Sequence, residues 1–464
     1  MLTDWGARRL RLGITSLGAL CAIAASLGIL RCTNSGSRDA PSDAGDSGRE
    51  ASVDAASDTD ATPDVAPGDD AVADAAGEVD VTESGVAWSP VPGAAACGLF
   101  QADPTIVNFG ARTWTDCGSG CRVGSASLAG FGQPSVDASA GRFVSGDDIL
   151  LTFAASPTGN TALVTRLSDD RVLAAVEQRA NPTQCGIGRN TTTPLVLPWY
   201  YVSGGKSQRL FGWVSITGQL QWNPNWLAEP NSTPLSMFAW DGGVGMTFDD
   251  ATILRAAGAA ATKYSTIESG LQPAYHAAGD GPLAAWTESN SLGGESLRGI
   301  SSGGNPTELV ASKDGLHAVA LLGSRLVWIG THGPSWSTGS YTSAEWHFSD
   351  WSGSTVVDAT GPSLPATSGL TDVQAMGDYG ATIGCQDGIT GRASCSLFVV
   401  RFSDGQSWQV HARPGMTYQK IMMVSPTEVI VGEADYPPTA GSAGLMPRLV
   451  RFSLASLSQL ASAL

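Results

Sequence analysis

Histidine and lysine are scarce in this chain, and positive charge is in deficit. The 464 residues include five histidines and four lysines, and 43 acidic side chains outnumber 26 basic ones, for a net charge of -17. A protein that follows nucleic-acid phosphates needs a basic face, so this balance argues against a nucleic-acid partner. Few histidines, with no His-Glu-x-x-His pattern, also leave little basis for a metal site, and no cofactor is expected.

Long hydrophobic runs are also scarce, and the one that could enter a bilayer lies near the N-terminus. Residues 12–30 (LGITSLGALCAIAASLGIL) carry no charge and follow Arg8, Arg9 and Arg11. Positive residues followed by an apolar run are typical of an export signal. The run is also long enough to cross a membrane as a helix, so an uncleaved N-terminal anchor is the alternative.

Cys32 follows this run directly and precedes the small polar residues 33–37. In this position it resembles the lipidated cysteine of bacterial lipoproteins, although the family pattern has a small residue where this chain has Arg31. The resemblance implies a membrane partner through lipidation at Cys32. Residues 1–32 are therefore predicted to be an export or lipoprotein-like signal, or an anchor.

The next segment is rich in aspartate and alanine. Residues 38–85 carry 14 acids against Arg38 and Arg49, with no aromatic residue and no leucine. Such a chain cannot bury enough apolar surface to offset its conformational entropy, which predicts a disordered acidic linker over residues 33–85. A signal, a cysteine and an acidic linker in this order resemble surface lipoproteins of Gram-negative bacteria. That resemblance implies the cell envelope, at the outer membrane or cell surface.

Residues 86–464 have the texture of an all-β domain. A strand–turn–strand unit recurs seven times, with turns near residues 147, 205, 242, 280, 323, 378 and 426. The mean spacing of about 46 residues suits one four-stranded sheet per unit, and the domain resembles a degenerate β-propeller, with seven units predicting seven blades. A pair of β-sandwiches is the alternative fold. Helical periodicity is restricted to residues 251–267 and 453–464.

Six cysteines follow the linker, an even number that predicts disulfide bonds in an oxidising compartment. Cys385 and Cys395 flank a turn-rich segment, so we expect them to staple a hairpin. The remaining four leave three possible connectivities and are Cys97, Cys117, Cys121 and Cys185. The short spacing between Cys117 and Cys121 would need further ligands to bind zinc.

Catalytic signals are weak. Ser301 lies in a G-x-S-x-G pattern, but Gly304 to Pro306 cannot begin the helix that a nucleophile elbow needs, so a polar loop is predicted. Residues 404–408 (DGQSW) resemble the Asp-box of sialidase-like propellers, yet the adjacent Asp and Gly favour a plain hairpin turn. Acids in apparent loops are the candidates for a glycosidase pair, with none assigned as catalytic: Asp249, Asp250, Glu345, Asp350, Glu433 and Asp435.

Tryptophans crowd a Ser/Gly/Thr-rich stretch. Trp336, Trp346 and Trp351 are the candidate ligand-binding residues, since exposed rings on loops can hold a glycan or a protein; packing between blades is the alternative.

The sequence thus supports two main hypotheses: an envelope-tethered, non-enzymatic propeller that acts as a binding scaffold, or a secreted propeller hydrolase that acts on polysaccharide. A purely structural envelope protein is the third alternative. A hydrolase should bring two or more acids together in a concave centre, which a scaffold does not require.

Overall fold

The fold is known from a computed structural model. It describes residues 80–81, 87–92, 94, 97–103, 110–156, 159–179, 185–187, 193–203, 206–222, 227–229, 234–248, 252–257, 260–265, 273–290, 294–312, 314–333, 343–351, 356, 359–364, 369–385, 395–460 and 462–463. All of them belong to the unit Asp74–Leu464. The predicted export segment and Cys32 lie outside the described residues.

The described part is almost entirely β-structure. Its strands, in chain order, are β1 (Asp80–Val81), β2 (Ala87–Pro90), β3 (Leu99–Ala102), β4 (Trp114–Gly118), β5 (Cys121–Ser125), β6 (Ala140–Val144), β7 (Asp147–Ser156), β8 (Gly159–Arg166), β9 (Arg171–Gln178), β10 (Cys185–Ile187), β11 (Val196–Ser203), β12 (Lys206–Val214), β13 (Leu220–Trp222), β14 (Leu227–Glu229), β15 (Pro234–Trp240), β16 (Gly243–Phe248), β17 (Thr252–Ala257), β18 (Ala260–Ser265), β19 (Pro273–Asp280), β20 (Leu283–Ser289), β21 (Glu295–Ser301), β22 (Thr307–Ala311), β23 (Gly315–Leu322), β24 (Arg325–His332), β25 (Ser343–Asp350), β26 (Ala359–Leu364), β27 (Gly369–Met376), β28 (Tyr379–Cys385), β29 (Cys395–Arg401), β30 (Ser407–His411), β31 (Met416–Val424), β32 (Glu428–Asp435), β33 (Arg448–Ser453) and β34 (Ser462–Ala463). A 3-10 turn (Leu454–Ser456) and a short helix, α1 (Leu457–Leu460), precede β34.

These strands form seven antiparallel sheets, the blades of a β-propeller. Blade 1 has the order β6-β7-β8-β9 and continues outward through β3, β2 and β1. Blade 2 is β10 to β13 with β14 also on β12, and blades 3, 4 and 5 are β15–β18, β19–β22 and β23–β26. Blade 6 is β27–β30 with β34 at its edge, and blade 7 is β31-β32-β33-β5-β4. The predicted seven-bladed propeller is confirmed, and the sandwich alternative is wrong.

The blades pack face to face around a ring. Among the described residues, an apolar cluster lies between each blade and the next, including blades 7 and 1, where Met422, Ile430 and Leu449 meet Leu150. Both faces of a blade's middle strands are therefore buried, as in β16, where all six residues are buried. This explains why the sequence shows continuous apolar runs rather than alternation.

The ring is closed by pairing between the two ends of the described chain. β33, near the C-terminus, pairs antiparallel with β5, from Arg448 opposite Ser125 to Phe452 opposite Cys121. β4 then pairs with β5. The closure of the ring therefore depends on this sheet as well as on the cluster between blades 7 and 1.

Each recurring unit forms a hairpin of the predicted kind. At the turn near residue 242, Asp241 and Gly242 both have positive φ (46° and 72°), the conformation of the tight turns that match strand twist. Ser145 and Gly146 repeat it at the first unit (52° and 94°). The sequence could place these hairpins because turn chemistry is local.

The two segments with helical periodicity have different structures. Residues 251–267 contain β17 and β18, so the predicted helical tendency there is wrong, since burial between blades overrides a weak periodicity. Helical structure does occur within residues 453–464.

β1 lies inside the predicted linker and pairs with β2, so strand structure begins before residue 86.

The six cysteines of the described region form three disulfides. Cys385 and Cys395 are bonded across the β28–β29 pair, as predicted. Cys97 is bonded to Cys185 and Cys117 to Cys121, which selects one of the three connectivities left open. The Cys97–Cys185 bond links the segment before β3 to blade 2.

Candidate functional site

A cavity of about 120 Å³ lies where the first strands of five blades meet. Residues of β6, β19, β23, β27 and β31 line it, and many are alanine or glycine. Small residues are needed here because the backbones approach closely: a Cβ on Gly141 would lie 2.2 Å from the Met422 carbonyl oxygen, and one on Gly279 would lie 2.3 Å from the Ala239 carbonyl oxygen.

Arg142 reaches across the ring. From β6 in blade 1, its guanidinium donates to the carbonyl oxygens of Gly279 in blade 4 (3.3 Å) and Leu321 in blade 5 (3.4 Å). It also forms an ion pair with Asp280 (2.9 Å), whose carboxylate accepts the Gly323 N–H. Because these partners orient the guanidinium and Asp280 balances its charge, Arg142 is a fixed polar group of the cavity wall.

Gln374 ties together the blades on the other side. From β27 in blade 6, its Nε2 lies 3.3 Å from the carbonyl oxygen of Gly141 in blade 1 and 3.3 and 3.4 Å from those of Ile421 and Met422 in blade 7. The Gln374 amide thus connects blade 6 to blades 7 and 1. The Arg142 guanidinium connects blade 1 to blades 4 and 5.

Two imidazoles meet between blades 4 and 5. The ring centroids of His276 and His317 lie 4.6 Å apart, and His317 Nε2 bonds to the Leu370 carbonyl oxygen of blade 6. Removal from water, with a smaller effect of the neighbouring His317, lowers the pKa of His276 well below its ordinary value. The imidazole of His276, which lines the cavity, is therefore neutral at pH 7.

Innermost strands carry bulges near the cavity. Register shifts occur at His317/Val319 in β23, Thr371/Val373 in β27 and Tyr418/Lys420 in β31. A bulge adds an unpaired residue and re-aims the side chains beside it. The bulges therefore help to set which side chains face the centre of the ring.

A second polar cluster lies at one end of blade 5. His332 Nδ1 lies 3.0 Å from Asp314 Oδ2, and His332 Nε2 lies 3.2 Å from Glu345 Oε1, which is also 3.2 Å from His347 Nε2. The hydrogen bond to Asp314, followed by that to Glu345, raises the pKa of His332. Trp328 stacks on the His347 ring, with centroids 5.3 Å apart. Across the described residues, no group of three His, Cys, Asp or Glu side chains is arranged to hold a metal ion.

The predicted tryptophan surface is corrected by the structure. Trp346 and Trp351 are fully buried, Trp346 in the cluster between blades 5 and 6 and Trp351 in the one between blades 4 and 5. Their rings fill space between sheets and present no face to a ligand. Trp336 lies outside the described residues.

The candidate loop acids contact basic side chains where the structure describes them. Glu345 contacts His332 and His347, and Asp350 is paired with Arg325. The other two contact arginines: Glu433 contacts Arg413 and Arg448, and Asp435 contacts Arg448. Asp249 and Asp250 lie outside the described residues.

The DGQSW and G-x-S-x-G segments both form the local structure that was predicted for them. Asp404 accepts the backbone N–H of Gln406 and pairs with Arg401 in the β29–β30 turn, where Gly405 has a φ of 69°, so a hairpin turn forms there as expected. Ser301 ends β21 and is followed by a turn and β22 instead of a helix, which agrees with the predicted polar loop.

Sequence reasoning missed the cavity residues. Arg142, His276 and Gln374 were not singled out, because no local motif marks them. The repeats could have indicated that His276 and His317 lie near each other, because each is on the first strand of one of two consecutive hairpin units.

Comparisons with known proteins find similar solved structures at low sequence identity. No protein-family model matches the chain, and no curated protein matches it in sequence. Similar solved structures include an oligogalacturonate lyase from Vibrio parahaemolyticus (9% identity, 75% of this chain and 98% of that one, TM-score 0.47). The β-propeller domain of the Trilobed protease from Pyrococcus furiosus has 11% identity, covers 70% and 94%, and has a TM-score of 0.42. BamB from Moraxella catarrhalis has 12% identity, covers 74% and 93%, and has a TM-score of 0.35.

Proposed function

We propose that this protein is an exported β-propeller, tethered to the cell envelope, that acts as a binding scaffold. The observation that carries the proposal is that all six cysteines of the described region are paired in disulfides. Structural disulfides persist in oxidising compartments and are rare in the cytosol, which supports export.

The tether is assigned to the N-terminal 85 residues. An apolar run, Cys32 and the acidic segment precede the propeller in that order. Lipidation at Cys32 would attach the chain to a membrane, and an uncleaved helix at residues 12–30 is the alternative attachment. Fully extended, residues 33–79 would reach at most about 160 Å. Among the described residues, no helix is long and apolar enough to cross a membrane.

The binding surface is proposed at the end of blade 5. The side chains of His332, Asp314 and Glu345 are 40%, 41% and 30% exposed there, and β24 ends at His332. The segment between β24 and β25 contains Trp336, which is a candidate ligand contact from the sequence alone. Such a combination suits a glycan or a polar protein surface.

The hydrolase alternative is the second candidate, because Asp314 and Glu345 both contact His332, and Glu433 and Asp435 both contact Arg448. It requires two carboxyl groups within about 5–10 Å that share a substrate. The four described candidate acids are instead engaged by histidines or arginines.

The tether is tested by fractionating cells that make wild-type protein, Cys32→Ala or Cys21→Ala, with the mass of the mature N-terminus measured in each. We expect a lipid-sized mass on Cys32 and membrane association in wild type and in Cys21→Ala, and release of Cys32→Ala. Membrane association of Cys32→Ala with residues 12–30 intact would replace the lipid with a helical anchor. Wild-type protein found in the cytosol with reduced cysteines would overturn export altogether.

The binding surface is tested by co-sedimentation with purified insoluble cell-wall polysaccharide. We expect Trp336→Ala to lose most of the sedimented fraction and Trp336→Phe, which keeps an aromatic face, to retain it. Equal sedimentation of all three proteins would contradict a glycan contact at Trp336.

A further inference from the structure

His332 joins parts of blade 5 that are separate in the chain. It is the last residue of β24. Its Nδ1 lies 3.0 Å from Oδ2 of Asp314, which precedes β23, and its Nε2 lies 3.2 Å from Oε1 of Glu345, which is on β25. Glu345 Oε1 has a second imidazole partner, His347 Nε2, at 3.2 Å. One ring therefore links the connection between β22 and β23, the end of β24, and β25.

The two contacts of His332 require a protonated ring. An ionised carboxylate can only accept hydrogen bonds, and a neutral imidazole carries a single N–H. Both nitrogens of His332 face carboxylate oxygens, so both can donate only when the ring is the imidazolium. The hydrogen bond to Asp314, together with that to Glu345, raises the pKa of His332, although partial burial opposes this effect. The folded protein therefore keeps His332 charged to a higher pH than an exposed histidine would be.

Glu295 and His347 also pack against this cluster. From blade 4, Glu295 donates its backbone N–H to the Asp314 carbonyl oxygen (3.1 Å), and burial raises the pKa of its carboxyl group to about 7. His347 contacts the cluster through Glu345. Because Glu295 gains its charge near the pH at which an ordinary histidine loses its own, a test must separate the titration of His332 from that of Glu295.

We propose that His332 is a pH switch of the blade 5 surface. As the imidazolium it holds Asp314 and Glu345 together, and when it loses a proton it releases Glu345, whose carboxylate then accepts hydrogen bonds from ligand hydroxyl groups. The inference rests on the proposed function, because it regulates the surface assigned there. The switch itself depends on these three side chains alone.

The release of Glu345 follows from the partners of each carboxylate. A neutral His332 ring keeps one N–H, and its other nitrogen presents a lone pair to the carboxylate that it bonded before. Among the described residues, His332 is the one basic side chain that contacts the Asp314 carboxylate, whereas Glu345 also contacts His347. The hydrogen therefore stays on Nδ1, facing Asp314, and the bond to Glu345 is lost. The Glu345 side chain is 30% exposed, so a ligand can reach it.

The first test is a nuclear magnetic resonance titration of the purified, disulfide-bonded protein from pH 5 to pH 9, with ¹⁵N in the rings of its five histidines. His332→Gln assigns the resonances. We expect both nitrogens of His332 to carry hydrogen at low pH, and Nδ1 alone to carry it above the transition. The transition should move to lower pH in Asp314→Asn and in Glu345→Gln, because each variant removes a charged hydrogen-bond partner.

Asp350→Asn is the matched control for this titration. It removes a carboxylate that is 72% exposed at the other end of β25, and it should leave the His332 transition unchanged. A transition at the same pH in wild type, Asp314→Asn and Glu345→Gln would overturn the switch. A hydrogen on Nε2 above the transition would also overturn it, since Asp314 would then be the carboxylate released.

The second test measures co-sedimentation with purified insoluble cell-wall polysaccharide at pH 5.5 and pH 8.5. We expect the dissociation constant of wild type to be about threefold lower at pH 8.5, because a hydrogen bond to a charged group is gained. His332→Gln should bind equally at both pH values, and Glu295 is present in both proteins. A pH dependence that persists in His332→Gln would overturn the switch. No sedimentation at either pH, with the ring titration as expected, would overturn the glycan contact while supporting the switch.

Discussion

Glu295 makes the stability of this propeller depend on pH. Burial raises the pKa of its carboxyl group from 4.5 to about 7, against the opposing hydrogen bond from the Leu316 N–H (2.7 Å). Between pH 4.5 and 7 the folded state therefore holds a proton that the unfolded chain releases. The contribution of Glu295 to the free energy of unfolding thus falls as pH rises through this window.

The magnitude follows from the pKa difference. A shift of one unit corresponds to 1.36 kcal/mol, so the full penalty above pH 7 is at most about 3 kcal/mol. Glu295→Gln keeps an oxygen to accept the Leu316 N–H and removes the charge. We expect it to stabilise the protein by about 1–3 kcal/mol at pH 8 and to have little effect near pH 4.5. For a domain of this size that corresponds to a rise of about 1–4 °C in the unfolding midpoint.

The measurement is the thermal unfolding midpoint of wild type and variant across pH 4.5 to 8.5. Asp116→Asn is the matched control, since the Asp116 side chain is 89% exposed, and it should shift the midpoint little at either end of the range. A gain for Glu295→Gln that is the same at pH 4.5 and pH 8, or a loss at pH 8, would refute burial as the source of the raised pKa.

Three further outcomes are expected. Gly141→Ala should lower the free energy of unfolding by about 1–3 kcal/mol, because its Cβ would lie 2.2 Å from the Met422 carbonyl oxygen; chemical denaturation measures this, and an unchanged midpoint would contradict the close approach. Replacing Cys385 and Cys395 together by alanine should cost about 2–3 kcal/mol, by loop-closure entropy, with reduced wild-type protein as the comparison. Trp351→Ala should destabilise the fold by about 3–5 kcal/mol, seen in urea unfolding; a stable variant that merely lost ligand binding would restore Trp351 as a contact residue.

The turns and strand pairs of the propeller could be predicted from the sequence because they depend on neighbouring residues. A Gly at a tight turn, as at Gly242, and apolar runs of strand length on either side identify a hairpin without reference to the rest of the chain. Seven such hairpins at regular spacing imply a propeller, because each blade buries its faces against its neighbours.

Contacts between distant residues could not be predicted in this way. The partner of Cys97, the pairing of β5 with β33 and the span of Arg142 from blade 1 to blades 4 and 5 join residues far apart in the chain. The burial of the tryptophans also depends on distant residues. Trp346 and Trp351 lie in a Ser/Gly/Thr-rich stretch of sequence but are buried because neighbouring sheets pack against them. The amino-acid sequence by itself determined the blade as a repeated local unit. Only the closed ring decided which side chains face its centre, because that depends on where seven sheets meet.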